Sequence, residues 1–239
     1  MKKLVLPAIS LVVLALLVIA CGGAKATPTP TPPPAVDILN AATEAMKEVD
    51  SLHMEMTAQM TMTMSGMTLA VPMTFKGDVQ NPDRVKGTLT MEALDQKVSM
   101  EMIVISTTTY MRESPTAEWQ VTPTDQSGAP FDPEEMAQLK PEDMKDLTFV
   151  GEEEVNGRPA YHVSGKVTSG LLNLEELLGE GGEAAFDADY WIDRETSYLL
   201  KALVAGNLVM TGETEATVDM WMTMSFTDYN KPVTIEAPE

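Results

Sequence analysis

Cysteine is almost absent from this chain: one, Cys21, in 239 residues. No disulfide can form within it, and Cys-rich zinc or iron–sulfur sites are excluded. Basic residues are scarce as well, 16 Lys and Arg against 36 Asp and Glu, for a formal charge of −20. That balance excludes a nucleic-acid binder working by phosphate neutralisation and disfavours docking on an anionic lipid surface. Histidine occurs only at His53 and His162, and no G-x-S-x-G elbow, H-E-x-x-H pair or phosphate-binding glycine loop is present, so no enzyme activity is expected. The acidic groups at Glu152 to Glu154 and at Asp187 with Asp189 read as solvated faces and turns in a chain rich in carboxylates. Aromatic residues make up 5%, yet 44% of the residues are hydrophobic, which excludes a wholly disordered chain. Methionine fills the gap, with 19 copies.

Lys2 and Lys3 precede an apolar run, Leu4 to Ala20, broken only by Pro7 and Ser10 and ending Val18-Ile19-Ala20-Cys21-Gly22-Gly23. This is the layout of a secretory signal peptide. Its end resembles the lipobox of bacterial lipoproteins, in which the cysteine is acylated and becomes the mature N-terminus. A plain transmembrane anchor competes, since about 17 apolar residues reach the lower limit for a span. Such an anchor has no need of a unique cysteine flanked by small residues. Residues 1–20 are therefore expected to be a signal peptide and 21–34 a tether that begins at the acylated Cys21. Ala24 to Pro34 reads AKATPTPTPPP, which favours extended polyproline II, about 25 Å from Thr27 onward at ~3.1 Å per residue. The remainder is expected at the extracytoplasmic face of the cell membrane, held there by the lipid anchor.

From residue 35 to residue 239 the pattern is globular, without internal duplication, and reads as a single α+β domain. Val36 to Asp50 places Ile38, Leu39, Ala42, Ala45, Met46 and Val49 on one helical face. Leu52 to Met64 then alternates Leu, Met and Ala with polar residues, a half-buried strand about 43 Å long at ~3.3 Å per residue. Ser65-Gly66 reads as a turn into a returning strand, where Pro72 points to an edge or a bulge. Alternation recurs through Val85 to Met91, Val98 to Val104 and Thr107 to Met111, the pattern of an antiparallel meander. Short acidic helices are expected over Pro133 to Asp146, a hairpin over Phe149 to Val167 around Asn156-Gly157, and an apolar helix over Ser169 to Leu178. Strands are expected over Ala188 to Asp193, Tyr198 to Met210 and Thr214 to Tyr229.

Three stretches carry a family likeness: Gly151-Glu152 through Val155-Asn156-Gly157-Arg158-Pro159-Ala160-Tyr161-His162-Val163, Tyr190-Trp191-Ile192-Asp193 with Leu199-Leu200-Lys201, and Phe226-Thr227-Asp228-Tyr229 with Pro232 to Ile235. Together with Tyr110 and Trp119 they resemble the LppX/LprG group of bacterial lipoproteins and the wider LolA/LolB-like superfamily. The resemblance implies a curved antiparallel sheet, a half-barrel whose concave apolar face is covered by helices. It also implies relatives that carry acyl chains, glycolipids or lipoprotein anchors, alongside regulatory sensor domains.

Met54, Met56, Met60, Met62, Met64, Met67, Met73, Met91, Met100, Met102, Met220, Met222 and Met224 all fall on the apolar parity of expected strands. Three readings compete. Methionine can substitute for Leu and Val in an ordinary core; it can line an adaptable lipid cavity, because an unbranched thioether side chain re-packs around guests of varied shape; or its sulfur can serve copper(I), a soft metal. So many methionines over several strands exceed any single metal site, and a core needing stability alone is better served by residues with well-defined rotamers. The cavity reading makes all of these except Met91 candidate lining residues. It implies a lipid or acylated ligand as partner, no cofactor and a monomer. A sensor or interaction module that meets an envelope protein on the same scaffold is the alternative, and copper(I) binding comes last.

Overall fold

The computed structural model describes residues 32–93, 96–123, 141–167, 183–210 and 216–238. Cys21, the apolar run before it, most of the Thr-Pro stretch, and the helix expected over Ser169 to Leu178 lie outside them. Residues Pro33–Glu239 form one compact unit.

Helix α1 (Ala35–Lys47) starts directly after Pro34, with Asp37 in its first turn and Lys47 in its last, each matched in sign to the helix dipole. Its apolar stripe, Ile38, Leu39, Ala42 and Met46, is buried. The strands follow as β1 (Ser51–Met64), β2 (Met67–Gln80), β3 (Arg84–Ala93), β4 (Gln96–Ile105), β5 (Thr108–Arg112), β6 (Gln120–Pro123), β7 (Met144–Val155), β8 (Arg158–Val167), β9 (Glu183–Asp193), β10 (Leu199–Met210) and β11 (Ala216–Thr227). All belong to one antiparallel, curved and unclosed sheet in the order β6-β5-β4-β3-β2-β1-β11-β10-β9-β8-β7. The first and last strands thus meet in the middle of the sheet, and its edges come from the middle of the chain. Helix α1 lies against β7, β8 and β9.

Both expected two-residue turns form. Ser65 and Gly66 have φ of 51° and 79°, and Asn156 and Gly157 have 52° and 78°. Positive φ at both central positions is the type I′ geometry that suits the twist of a hairpin. Pro72 sits at a local edge: among the described residues, β3 pairs with β2 only from Met73 onward. Of the short acidic helices expected over Pro133 to Asp146, residues 133–140 lie outside the described residues, and the remainder does not run as helix to Asp146. Pro141–Asp143 is a single 3-10 turn, and β7 already begins at Met144, where Met144 pairs with Val167. Register shifts between Lys145 and Thr148 and between Phe149 and Gly151 hide the period of two in this stretch.

The curvature has a local cause. Gly77 and Gly87 face each other across β2 and β3, and the Phe75 ring lies over both. A Cβ on Gly77 would collide first with the backbone oxygen of Lys86 and sit 2.7 Å from Phe75 Cζ, and one on Gly206 of β10 would collide first with the backbone oxygen of Ala185 and sit 2.6 Å from Phe186 Cδ1. Close approach of the neighbouring strand's backbone, together with an aromatic ring over each glycine, takes the space of the missing side chains and lets the sheet bend around its apolar face. On the opposite face the C-terminal segment laces the strand starts together. Asn230 N–H donates to Ser51 O at 2.8 Å, Ser51 Oγ donates to Lys231 O at 2.6 Å, and Arg84 Nη1 donates to the carbonyl of the buried Ile235 at 2.6 Å.

At the β9–β10 turn Asp193, 2% exposed, accepts from the N–H groups of Glu195 and Thr196 and from the Thr196 hydroxyl at 2.7–2.9 Å, and pairs with Arg158 Nε at 2.8 Å. Burial by itself raises the pKa of this carboxyl, but these hydrogen bonds and the guanidinium outweigh burial and hold it below the usual range.

Two outcomes are expected in urea unfolding. Gly87→Val destabilises by about 2 kcal/mol by forcing the Phe75 ring off the sheet, and Phe75→Leu in the same chain recovers part of that loss. Asp193→Asn destabilises by about 2 kcal/mol at neutral pH. Because the native carboxyl titrates below its unfolded value of about 3.9, its contribution is complete above that value. It is lost as the pH falls through the native one, so the wild-type and variant stabilities converge in acid.

Candidate functional site

Cross-strand register turns the apolar parity into continuous rows. One row runs Met100, Leu89, Phe75, Met56, Met224, Ala202, Tyr190, Val163, Phe149 from β4 across to β7. The next runs Met91, Met73, Ala58, Met222, Val204, Ala188, Gly165, and a third runs Val71, Met60, Met220, Gly206, Phe186, Val167, Met144. Beyond them lie Leu69, Met62, Val218 and Leu208, and finally Met67, Met64, Ala216 and Met210 at the hairpin ends. Directly opposed side chains in an antiparallel pair share a face, so these rows form one surface.

Burial falls along this surface from the α1 side outward. Met54, Met56 and Met102 are fully enclosed, with Met54 at 0% exposure, among Phe75, Val79, Val85, Tyr190 and Phe226. Met91, Met100, Met220, Met222 and Met224 are half-buried against that cluster. Met73 is also half-buried, and Met60 and Met62 pack beside Leu208 and Val218 in a smaller cluster. Met64 at 43% and Met67 at 71% are exposed at the β1–β2 tip. The twelve residues expected to line a cavity therefore share one face but divide into enclosed, half-buried and exposed groups.

Aromatic residues on this face escape a reading drawn to methionine. Phe186, Tyr190 and Phe149 line the same rows, and strand parity is the signal that could have found them. Burial, and then the charge of neighbouring Asp189, push the Tyr190 hydroxyl up to about 12, so it is a neutral donor at any physiological pH.

Both histidines belong to the outer face. His162 Nδ1 lies 2.8 Å from Glu153 Oε1 and its Nε2 lies 2.9 Å from Asp189 Oδ1, with the ring stacked 4.3 Å from Trp191. The Trp191 indole donates to Glu153 Oε2 at 2.7 Å, and Lys201 Nζ sits 4.2 Å above the same indole. The indole hydrogen bond, followed by that of His162, holds the Glu153 carboxyl below its usual range. His53 Nδ1 lies 2.7 Å from Asp78 Oδ1 at one wall of an outer cleft of about 650 Å³, which Trp119, Arg112 and the C-terminal segment also line. No group of three or more His, Cys, Asp or Glu capable of holding a metal occurs among the described residues.

The chain is thus an unclosed antiparallel half-barrel with a continuous apolar concave face. The chain belongs to the LppX_LprAFG lipoprotein family, whose model matches residues 34–235. Its structure is similar to that of LprF from Mycobacterium bovis, with a TM-score of 0.56 at 16% identity over 85% of this chain and 96% of that one. It is similar as well to the lipoprotein LppX from Mycobacterium tuberculosis, with a TM-score of 0.57 at 15% identity over 84% of this chain and 98% of that one. At these identities the likeness is one of fold. Comparison with curated protein sequences gave no match.

Truncation separates the methionine groups. Met54→Ala is expected to cost about 3 kcal/mol, because a fully enclosed side chain leaves a cavity. Met222→Ala is expected to cost about 1 kcal/mol, since only part of that side chain leaves water on folding. Denaturant midpoints at unchanged slope measure both.

Proposed function

We propose that this protein is a membrane-anchored extracytoplasmic lipoprotein that holds the acyl chains of a lipid, glycolipid or acylated ligand against the methionine face. The observation that carries the reading is the group of half-buried methionines, Met60, Met62, Met73, Met100, Met220, Met222 and Met224, on one concave surface that runs into the enclosed core. Unbranched thioether chains can change rotamer to follow a guest at little cost, which suits hydrocarbon of varied length better than a wall of β-branched residues.

The driving force is the removal of hydrocarbon from water, about 25 cal/mol per Å² of apolar surface. No covalent step is required, and the titratable clusters around His162 and His53 occupy the other face. Cys21, once acylated, supplies the anchor, and the Thr-Pro stretch that follows supplies the reach.

Native mass spectrometry of gently purified protein is expected to reveal a bound lipid, and delipidated protein is expected to take up a fluorescent fatty-acyl probe. Met222→Glu places a charge on the surface and is expected to reduce uptake at least tenfold, with little change in the near-ultraviolet circular dichroism. Protein that carries no lipid and takes up no probe overturns the proposal.

A further inference from the structure

The β1–β2 hairpin ends in a tip unlike the rest of the molecule. From Met56 to Phe75 the sequence contains no Asp, Glu, Lys or Arg, although 22% of the whole chain is charged. Glu55 and Lys76 bound this stretch as a cross-strand pair, with Nζ to Oε1 at 2.5 Å. Past them the polar side chains are uncharged, among them Thr61, Thr63, Ser65 and Thr68, and the apolar ones become exposed: Leu69 at 39%, Met64 at 43% and Met67 at 71%. Met64 and Met67 are register partners, as are Met62 with Leu69 and Met60 with Val71, so the exposed tip is the outer end of the same surface that leads to Met56 and Phe75.

We propose that this tip is a docking surface for a neutral lipid bilayer, entering the headgroup region with Met64, Met67 and Leu69. The charge pattern selects the occupant. A chain with a formal charge of −20 is repelled by anionic surfaces and meets a membrane most easily through a segment without charge. The polar side chains nearest the tip, Thr61, Thr63, Ser65 and Thr68, are hydroxyls, which suit ester and phosphate oxygens without requiring a fixed partner geometry. Contact of the tip with hydrocarbon would join the membrane interior to the concave face through an unbroken apolar path. The use of that path rests on the lipid-holding function proposed above; docking itself does not.

The test uses the full chain on phosphatidylcholine vesicles containing acyl-brominated phosphatidylcholine. Met67→Trp is expected to show at least twofold more bromine quenching of its added fluorescence than the parent chain, whose Trp119, Trp191 and Trp221 provide the baseline. Adding Met64→Glu to that variant is expected to abolish the excess while the near-ultraviolet circular dichroism stays unchanged. Equal quenching in Met67→Trp and its parent overturns the docking surface. So does a dimer in light scattering that Met67→Glu dissolves, because the tip would then be covered by a second copy. Co-purified lipid without excess quenching removes the docking surface and leaves the lipid-holding function standing. Excess quenching in protein that holds no lipid supports the docking surface and removes that function.

Discussion

The structure depends on one pairing, that of β1 with β11. Residues near the two ends of the folded unit run antiparallel from His53 opposite Thr227 to Met64 opposite Ala216. If this ladder were absent, β1–β6 and β7–β11 would be two separate meanders, each with half of an apolar face. Every row of the concave surface crosses it. Closing a loop of almost the whole domain carries an entropic cost that the hairpins on either side do not. The C-terminal segment offsets part of it. Through Asn230, Lys231 and Ile235 it ties the end of β11 to Ser51, Gln80 and Arg84 on the first three strands. Its hydrogen bonds lie on the convex side, so the seam is fastened without placing polar groups in the concavity.

The concave face is graded in burial because of a mismatch in length. Helix α1 has 13 residues and covers about 20 Å at 1.5 Å per residue. Strand β1 has 14 residues and reaches about 46 Å at ~3.3 Å per residue. A helix of this length, set against β7, β8 and β9, closes one part of the surface and leaves the far ends of β1, β2 and β11 to other cover. Bending by Gly77, Gly87 and Gly206 narrows the concavity, and Phe75 and Phe186, with the backbone of the neighbouring strands, fill the space the glycines leave. The enclosed methionines Met54, Met56 and Met102 belong to the buried core cluster that also holds the α1 stripe and both rings; the half-buried ones lie beyond.

Much of this was readable from the amino acids. Period-two alternation located β1, β2 and β11, Ser65-Gly66 and Asn156-Gly157 located two turns, and the 3.6-residue period located α1. Those signals are local, and so they survive without knowledge of the fold. What failed was also local in cause. Two register shifts in β7 move side chains to the opposite face and break the alternation at its start. The start of β9 at Glu183 follows a Gly and Glu stretch with no β signature. The order of strands, with β1 beside β11, has no local signature at all. For the same reason the meeting of His162, Glu153, Asp189 and Trp191 could not be read in advance, since three strands bring them together.

The sheet must be stiff to hold its curve, yet its inner surface is built from the most flexible of the apolar residues. The outer face resolves the conflict. Thr57 stands opposite Thr74 on one side and Thr223 on the other, and Thr63 opposite Thr68 and Thr217. The Thr63 and Thr68 hydroxyls lie 3.1 Å apart. β-Branched residues restrict χ1 and favour the pleated conformation, and cross-strand Thr pairs each add a fraction of a kcal/mol, roughly 0.2–1. Strand propensity in β1 is thus supplied by the polar parity, which leaves the apolar parity of that strand, Leu52 to Met64, free of β-branching. A strand with Val or Ile at Met56, Met60 and Met62 would gain propensity it does not need and would fix the shape of its inner wall. Threonine outside and methionine inside separate the two requirements, backbone rigidity and surface adaptability, along the same strands.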